Sequence, residues 1–356
     1  MTHTEVVTTT SVEPLAREWD ELANRTDASP FLRPGFLQAW WSCFGEGPWE
    51  VLTVRRDGRL VGLAPLQRRR GVLSSLTNWE TPEFGFLIED ESVAVQLMEA
   101  LLGECKGSVV LSFLRVDDPN LRRYEGVAAS RGYRTIVKPL MRSPYVSIDR
   151  SWEAFESDLD SRFVRELRRR LRRLEERGSV LLEVSESSET VSALLEEGLA
   201  LEAAGWKGSQ GTAINAHPST RRFYTDVARW AAERGWLRLA FLRLSHRAVA
   251  FDLSLEDGSR HYLLKTAYDP AFRELAPGML MRHAMLARAF GTGLSSYEFL
   301  GDTASWKRQW TSSERELVGV RSFGPSPAHT LQWWAYASAR PFLGRVRTAA
   351  RGLLSR

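Results

Sequence analysis

One stretch constrains the fold of this chain more than any other. Residues 236–301 read as strand, strand, strand, loop, helix, strand, with a glycine at the mouth of the helix. Residues 237–243 and 248–256 are aliphatic-rich runs joined by the polar turn Ser245-His246-Arg247, which is the pattern of a β-hairpin. A second turn, Asp257-Gly258-Ser259, leads into a short strand at 261–265 that ends in the cation Lys265. In the loop 268–273, Pro270 biases Asp269 away from the helical region. Pro277-Gly278 then opens a helix in which Met279, Leu280, Ala284, Ala287 and Phe290 keep an apolar spacing until Gly291 and Gly293 end it. Residues 297–300 are a strand again. A helix that starts just beyond a strand presents unpaired N–H groups and the positive end of its dipole, which suits a phosphate or a carbonyl oxygen. Gly278 is where a ligand can approach the backbone.

The 356 residues exceed one ordinary core and predict two domains. The net charge of +4 is small for this length and gives no overall argument for nucleic acid, although arginine is concentrated in two places. Cys43 and Cys105 have no motif spacing, so neither a disulfide framework nor a metal site is expected. Residues 1–12 lack a basic end followed by an apolar core, and no apolar run reaches membrane-spanning length. The expected location is the cytoplasm.

The first half repeats the second in pattern. Residues 14–23 and 34–44 read as helices with Leu15, Trp19, Leu22, Phe36, Leu37, Trp40 and Trp41 facing a sheet. Residues 49–55 and 59–67 form a hairpin about Asp57-Gly58, a strong two-residue turn signal. In the second half Phe223-Tyr224, Trp230 and Trp236 likewise precede a hairpin. A strand at 84–88, a helix at 92–104, a strand at 109–114, a helix at 120–131 and strands at 133–137 and 145–148 complete the first half. It carries no equivalent of Gly278, so it reads as a degenerate copy.

Residues 151–177 read as a long helical stretch, with Ser151 and Asp160 as caps and Gly178 as its stop. Phe163, Leu167, Leu171 and Leu174 make one stripe, flanked by Arg162, Arg165, Arg168, Arg169, Arg170, Arg172, Arg173 and Arg177. These arginines form either a solvated face or a platform for an anionic partner: a nucleotide-linked sugar, a lipid phosphate or tRNA. After a helix at 191–204 comes a glycine-punctuated loop in which Trp206 and Lys207 set a flat apolar surface beside a cation, as a charged sugar or nucleotide requires. Residues 330–356 carry Trp333, Trp334, Tyr336, Phe342 and Leu343 beside Arg340, Arg345, Arg347, Arg351 and Arg356, without an acidic residue. This basic tail either docks on the protein or lies on an anionic membrane surface.

With these residues in view the chain resembles the cellulose-biosynthesis and BioF-like acetyltransferases of the GNAT superfamily, which are related to Fem-type peptidoglycan aminoacyltransferases. The resemblance rests on Phe163 with its arginines, Glu202-Ala203-Ala204-Gly205-Trp206-Lys207-Gly208, Phe223-Tyr224, Val249-Ala250-Phe251, Leu264 through Pro270, Pro277-Gly278 and Phe299-Leu300-Gly301. It implies an α/β (α+β) protein of two tandem GNAT-like lobes with mixed central sheets around a cleft. The expected division is a degenerate lobe at 1–150, an acyltransferase lobe at 151–327 that includes an arginine-rich linking helix at 161–177, and a basic amphipathic tail at 328–356. It also implies acyl-coenzyme A, simplest as acetyl-coenzyme A, as co-substrate. Arg273 and Gly278 match the family's donor loop, and Lys265 is a candidate for donor phosphate or an acceptor carboxylate. Backbone N–H groups near Met279 and Leu280 are candidates for the oxyanion. The strands flanking the helix mouth offer Asp252, Glu298 and Asp302 as candidate bases, while Asp269 is expected to order its own loop. Trp206, Lys207, Tyr268 and Trp306 are the expected acceptor-side residues. Residues 302–310 contain no tyrosine to protonate the leaving thiolate. The acceptor is an amine or hydroxyl of a small or envelope-polysaccharide-related molecule. Two alternatives stand beside this reading: a Fem-type aminoacyl transfer from tRNA to a cell-wall precursor, and a non-catalytic binding protein made from a decayed pair of lobes.

Overall fold

The computed structural model describes residues 4–105, 107–186, 190–204, 214 and 217–338. The chain divides into two compact units, residues 1–28, 46–140 and 317–356 in one, and residues 29–45 and 141–316 in the other. The fold is mixed α/β.

The elements run β1 (Thr4–Thr9), α1 (Ala16–Arg25), α2 (Pro34–Phe44), β2 (Trp49–Arg56), β3 (Arg59–Arg69), β4 (Val72–Ser75), β5 (Leu87–Ile88) and α3 (Glu91–Glu104). Then follow β6 (Ser108–Arg115), α4 (Pro119–Ser130), β7 (Arg134–Ser147), α5 (Trp152–Asp158), α6 (Ser161–Glu175), β8 (Val180–Ser185) and α7 (Val191–Ala204). The last are α8 (Pro218–Glu233), β9 (Leu237–Leu244), β10 (Arg247–Glu256), β11 (Arg260–Tyr268), α9 (Pro277–Gly291), β12 (Ser296–Glu298), β13 (Glu314–Phe323) and α10 (Pro327–Ser338). Among the described residues no helix is long and apolar enough to cross a membrane.

The first unit orders its strands β1-β2-β3-β4-β6-β13, antiparallel except for the β4–β6 pair. The second orders them β8-β9-β10-β11-β12-β7, antiparallel except for β11–β12. In each, one parallel pair is joined through a helix, α3 or α9, because parallel neighbours need a crossover. Both leading hairpins have two-residue loops, Asp57-Gly58 between Arg56 and Arg59, and Ser245-His246 between Leu244 and Arg247. Asp57 and Gly58 have φ of 50° and 80°, the primed turn that Asp-Gly favours. The core of the first unit gathers Leu97, Met98 and Leu101 of α3 with Val109 and Leu111 of β6. That of the second gathers Met281, Met285 and Leu286 of α9 with Val249, Leu263 and Phe299.

Three sequence expectations change. The boundary at 150 is not where the units divide. Residues 29–45 join the second unit because α2 packs on α8, with the Phe36 and Phe223 rings 5.4 Å apart and Gly35 so close to Trp230 that a Cβ would collide with its indole. Residues 317–323 join the first because they pair with β6. The stretch 151–177 is two helices, since Leu159 is extended and Asp160 starts a new helix by accepting the N–H of Arg162 at 2.7 Å. Ser151 caps the first, accepting the N–H of Ala154 at 3.2 Å. The two short strands expected at 133–148 are the single strand β7.

The α2–α8 contact makes a prediction. Gly35→Val forces a branched side chain into Trp230 and should destabilise the chain by about 1–3 kcal/mol, read from urea unfolding. An unchanged midpoint contradicts the packing.

Candidate active site

The mouth of α9 opens on a cavity of about 730 Å³. Thr266, Ala267 and Tyr268 at the end of β11 form one wall; Arg273, Ala276, Gly278, Met279 and Arg282 form the next; Ala304, Trp306 and Lys307 close it, with Glu202 from α7. A larger hollow of about 880 Å³ beside α5 and α6 is bordered by charged side chains that include the Arg150–Asp158 ion pair. It lacks the open helix start that distinguishes the smaller cavity.

Local rules build this mouth. Pro270 cannot donate a backbone hydrogen bond, and the Asp269 carboxylate accepts the N–H of Ala271 at 2.9 Å, which orders the loop as expected. Ala276 then adopts φ 46° and ψ 54°, a left-handed conformation that costs an alanine on the order of 1 kcal/mol. Its carbonyl turns back and accepts the N–H groups of Met279 at 2.9 Å and Leu280 at 3.2 Å. Those two amides are therefore occupied, and the expectation that they serve an oxyanion is corrected. Pro277 has no N–H, so the first amide left is that of Gly278, which has no partner among the described residues and borders the cavity. A Cβ on Gly278 would lie 3.4 Å from the Tyr268 ring, an ordinary contact, so the fold itself tolerates more than glycine here.

A buried ion pair supports the helix from below. Arg282, 1% exposed, contacts Asp252 of β10, 0% exposed, at 2.9 and 3.0 Å, and also donates to the Tyr297 hydroxyl. Burial works against the Arg282 charge, but the Asp252 carboxylate overcomes it and holds the guanidinium pKa above its ordinary value. Burial, in turn, pushes the Tyr297 hydroxyl well up. On the other side of Tyr297 the ring of His261 stacks at 4.3 Å, and His261 Nδ1 lies 2.9 Å from Glu256. Burial opposes the charge on Glu256, yet hydrogen bonds from His261 and Arg288 lower its pKa to about 2.

Of the sequence-derived candidates, Tyr268, Arg273, Gly278, Met279 and Trp306 all border the cavity. Leu280 is turned into the core. Asp252 neutralises Arg282 beneath the cavity rather than lining it. Glu298 accepts from Ser296 at 2.8 Å and from Arg315 at 2.7 and 2.9 Å, away from the cavity. Asp302 is exposed and its carboxylate accepts the N–H of Thr303 at 3.0 Å. Lys265 sits over the Tyr224 ring at 4.8 Å and outside the cavity lining. Trp206 and Lys207 lie outside the described residues.

Glu202, Arg282 and Lys307 were not singled out as site residues by the sequence. Lys307 is 7% exposed, its ammonium tied to the carbonyls of Leu300 and Asp302. Glu202, 3% exposed, accepts the N–H of Ile214 at 2.9 Å. It is the one carboxylate among the described residues lining the cavity. Gly198, one turn earlier on α7, lets that helix press on Phe251, where any Cβ would collide.

Two predictions follow from the buried charges. Asp252→Ala leaves Arg282 uncompensated and should cost about 3–5 kcal/mol in urea unfolding, whereas Asp252→Leu with Arg282→Met should recover most of it. Equal losses in both would show that the pair is not the cause. Glu256 has a depressed folded pKa, so its stabilisation is complete above the ordinary value of 4.5 and declines as pH falls towards about 2. Glu256→Gln should flatten the acid limb of a stability–pH profile in that window, and an unaltered limb would contradict the assignment.

Residues 161–308 match the family model described as acetyltransferase (GNAT) domain. The chain is similar in fold to the crystal structure of FemX, at 13% identity and TM-score 0.61, covering 92% of this chain and 99% of that one. It is similar to a conserved protein of unknown function from Bacteroides thetaiotaomicron at 9% identity and TM-score 0.57, covering 90% and 100%. The C-terminal domain of a putative lysylphosphatidylglycerol synthetase from Agrobacterium fabrum is similar at 12% identity and TM-score 0.51, covering 89% and 96%. No curated protein matches. The span that matches this family model contains α6 through the 304–307 wall, hence every described residue that lines the cavity.

Proposed function

We propose that the protein transfers an acyl group, simplest as acetyl, from acyl-coenzyme A to an amine, with the cavity at the α9 mouth as the site. The observation that carries this reading is the pairing of an open helix start at Gly278 with the Glu202 carboxylate on the same cavity. The residues fit such a donor. The Gly278 amide and the helix dipole favour a phosphate oxygen, exposed Arg273 adds a cation at the rim, and Tyr268 and Met279 offer apolar surface. Such a donor would supply a thioester whose acyl carbon bonds to the amine nitrogen as its C–S bond breaks, with coenzyme A leaving as the thiol once solvent returns a proton to sulfur. Glu202 takes the proton that the attacking amine gives up, and Tyr268 and Trp306 favour an ammonium as it approaches. Lys307, anchored by two carbonyls, holds the wall that carries Trp306.

Calorimetry separates the two roles. Gly278→Val should weaken acetyl-coenzyme A binding at least tenfold, about 1.4 kcal/mol, without lowering the unfolding midpoint. Glu202→Gln still accepts the Ile214 N–H, so it should leave donor affinity unchanged while transfer to a panel of primary amines falls by about a hundredfold or more. Donor affinity unmoved by Gly278→Val, or transfer unmoved by Glu202→Gln, removes the corresponding assignment.

A second reading, aminoacyl transfer from tRNA to a cell-wall precursor, is favoured by the arginines of α6. Arg168 pairs with Glu156, and Arg169 and Arg170 share Glu166, which leaves Arg162, Arg165, Arg172 and Arg173 without a carboxylate partner among the described residues. Competition between tRNA and acetyl-coenzyme A for the cavity would favour it, and independent binding would not.

A further inference from the structure

α10 has two unlike faces. Its start is capped by Ser326, whose side chain accepts the N–H of His329 at 3.3 Å. The inner face packs on the first unit through rings and cations: Arg134 lies 5.1 Å from the Trp333 ring, Lys138 3.8 Å and Arg321 4.7 Å from the Tyr336 ring. The outer face carries Leu331, 71% exposed, and Trp334, 57% exposed, one helical turn apart and followed by exposed Ala335. α10 contains no Asp or Glu, and residues 339–356 add Arg340, Arg345, Arg347, Arg351 and Arg356, again with no acidic residue.

We propose that the Leu331–Trp334 face of α10 seats on an anionic lipid surface. A leucine and a tryptophan exposed side by side lose water contact on entering the headgroup boundary, where an indole is favoured at the apolar–polar edge. The sequence on the C-terminal side supplies positive charge for anionic headgroups, and Arg134 beneath α10 is exposed on the same unit. A second copy fits this face less well. Two large side chains fall far short of the roughly 800 Å² per partner that a stable interface buries, and a symmetric pair would bring the arginine-rich segments together. The aromatic part of the tail is thus docked by Trp333 and Tyr336 while Leu331 and Trp334 remain for the bilayer.

The test is co-sedimentation of the full chain with sucrose-loaded vesicles, equimolar phosphatidylglycerol and phosphatidylcholine against phosphatidylcholine alone. The chain should partition to the anionic vesicles, lose partitioning in high salt, and show quenched tryptophan fluorescence with brominated lipid. Leu331→Ser with Trp334→Ser should lower partitioning at least tenfold, while acetyl-coenzyme A affinity stays at the wild-type value. No binding to anionic vesicles overturns the proposal. So does equal binding by the double variant, which assigns the attraction to the arginines alone. A dimer in light scattering that the double variant abolishes, without vesicle binding, gives the face to a second copy instead. None of these outcomes depends on the acyl-donor reading, because neither residue lines its cavity.

Discussion

The Arg282–Asp252 ion pair is the constraint on which the second unit depends. A helix mouth can bind a ligand only if the helix stays fixed relative to the strands beneath it, and α9 is otherwise held by leucine and methionine side chains that could slide. Arg282 stands one turn past Gly278 and ties α9 to β10 through Asp252 and to β12 through Tyr297. A fully buried pair of this kind is poor value as stabilisation, since hydrophobic residues of the same volume serve as well. Its directional bonds fix the rotation and height of the helix, and with them the Gly278 amide at the cavity.

The two units share a strand order but differ at the start of the crossover helix. In the first unit Asp90 caps α3, accepting the N–H of Val93 at 3.1 Å, and Arg56 and Ser92 hold its carboxyl far below the ordinary range. The anion that such a helix start attracts is already supplied by the chain. In the second unit α9 begins with Ala276, which offers no side-chain cap, and with Pro277, which offers no N–H. On the proposed reading, that start is open to an external anion. The difference lies in one capping residue rather than in the strand order, and it is the physical reason for proposing the site at α9 and not at α3.

Much of this was legible in the sequence. Asp57-Gly58, Pro277-Gly278 and the alternation of aliphatic runs specify turns and faces locally, so the hairpins and α9 follow from neighbours in the chain. The placement of 29–45 was not legible, because it rests on Gly35 meeting Trp230 nearly two hundred residues away. Arg282 and Asp252 carried a readable signal, opposite charges set in otherwise apolar stretches, yet only the pairing shows that Asp252 faces an arginine. Glu202 stands within the family-like stretch 202–208, but the strands that flank the mouth do not point to it, because it reaches the cavity from α7. The occupied amides of Met279 and Leu280 depend on the left-handed Ala276, which no residue-type rule predicts for an alanine.

The central claim is that an acyl donor binds at the Gly278 mouth. Amide hydrogen exchange with and without acetyl-coenzyme A tests it without assuming any acceptor. The account predicts protection concentrated in residues 266–282 and 304–307, with the amides of α3 unaffected. Protection elsewhere, or none at saturating ligand, would contradict it.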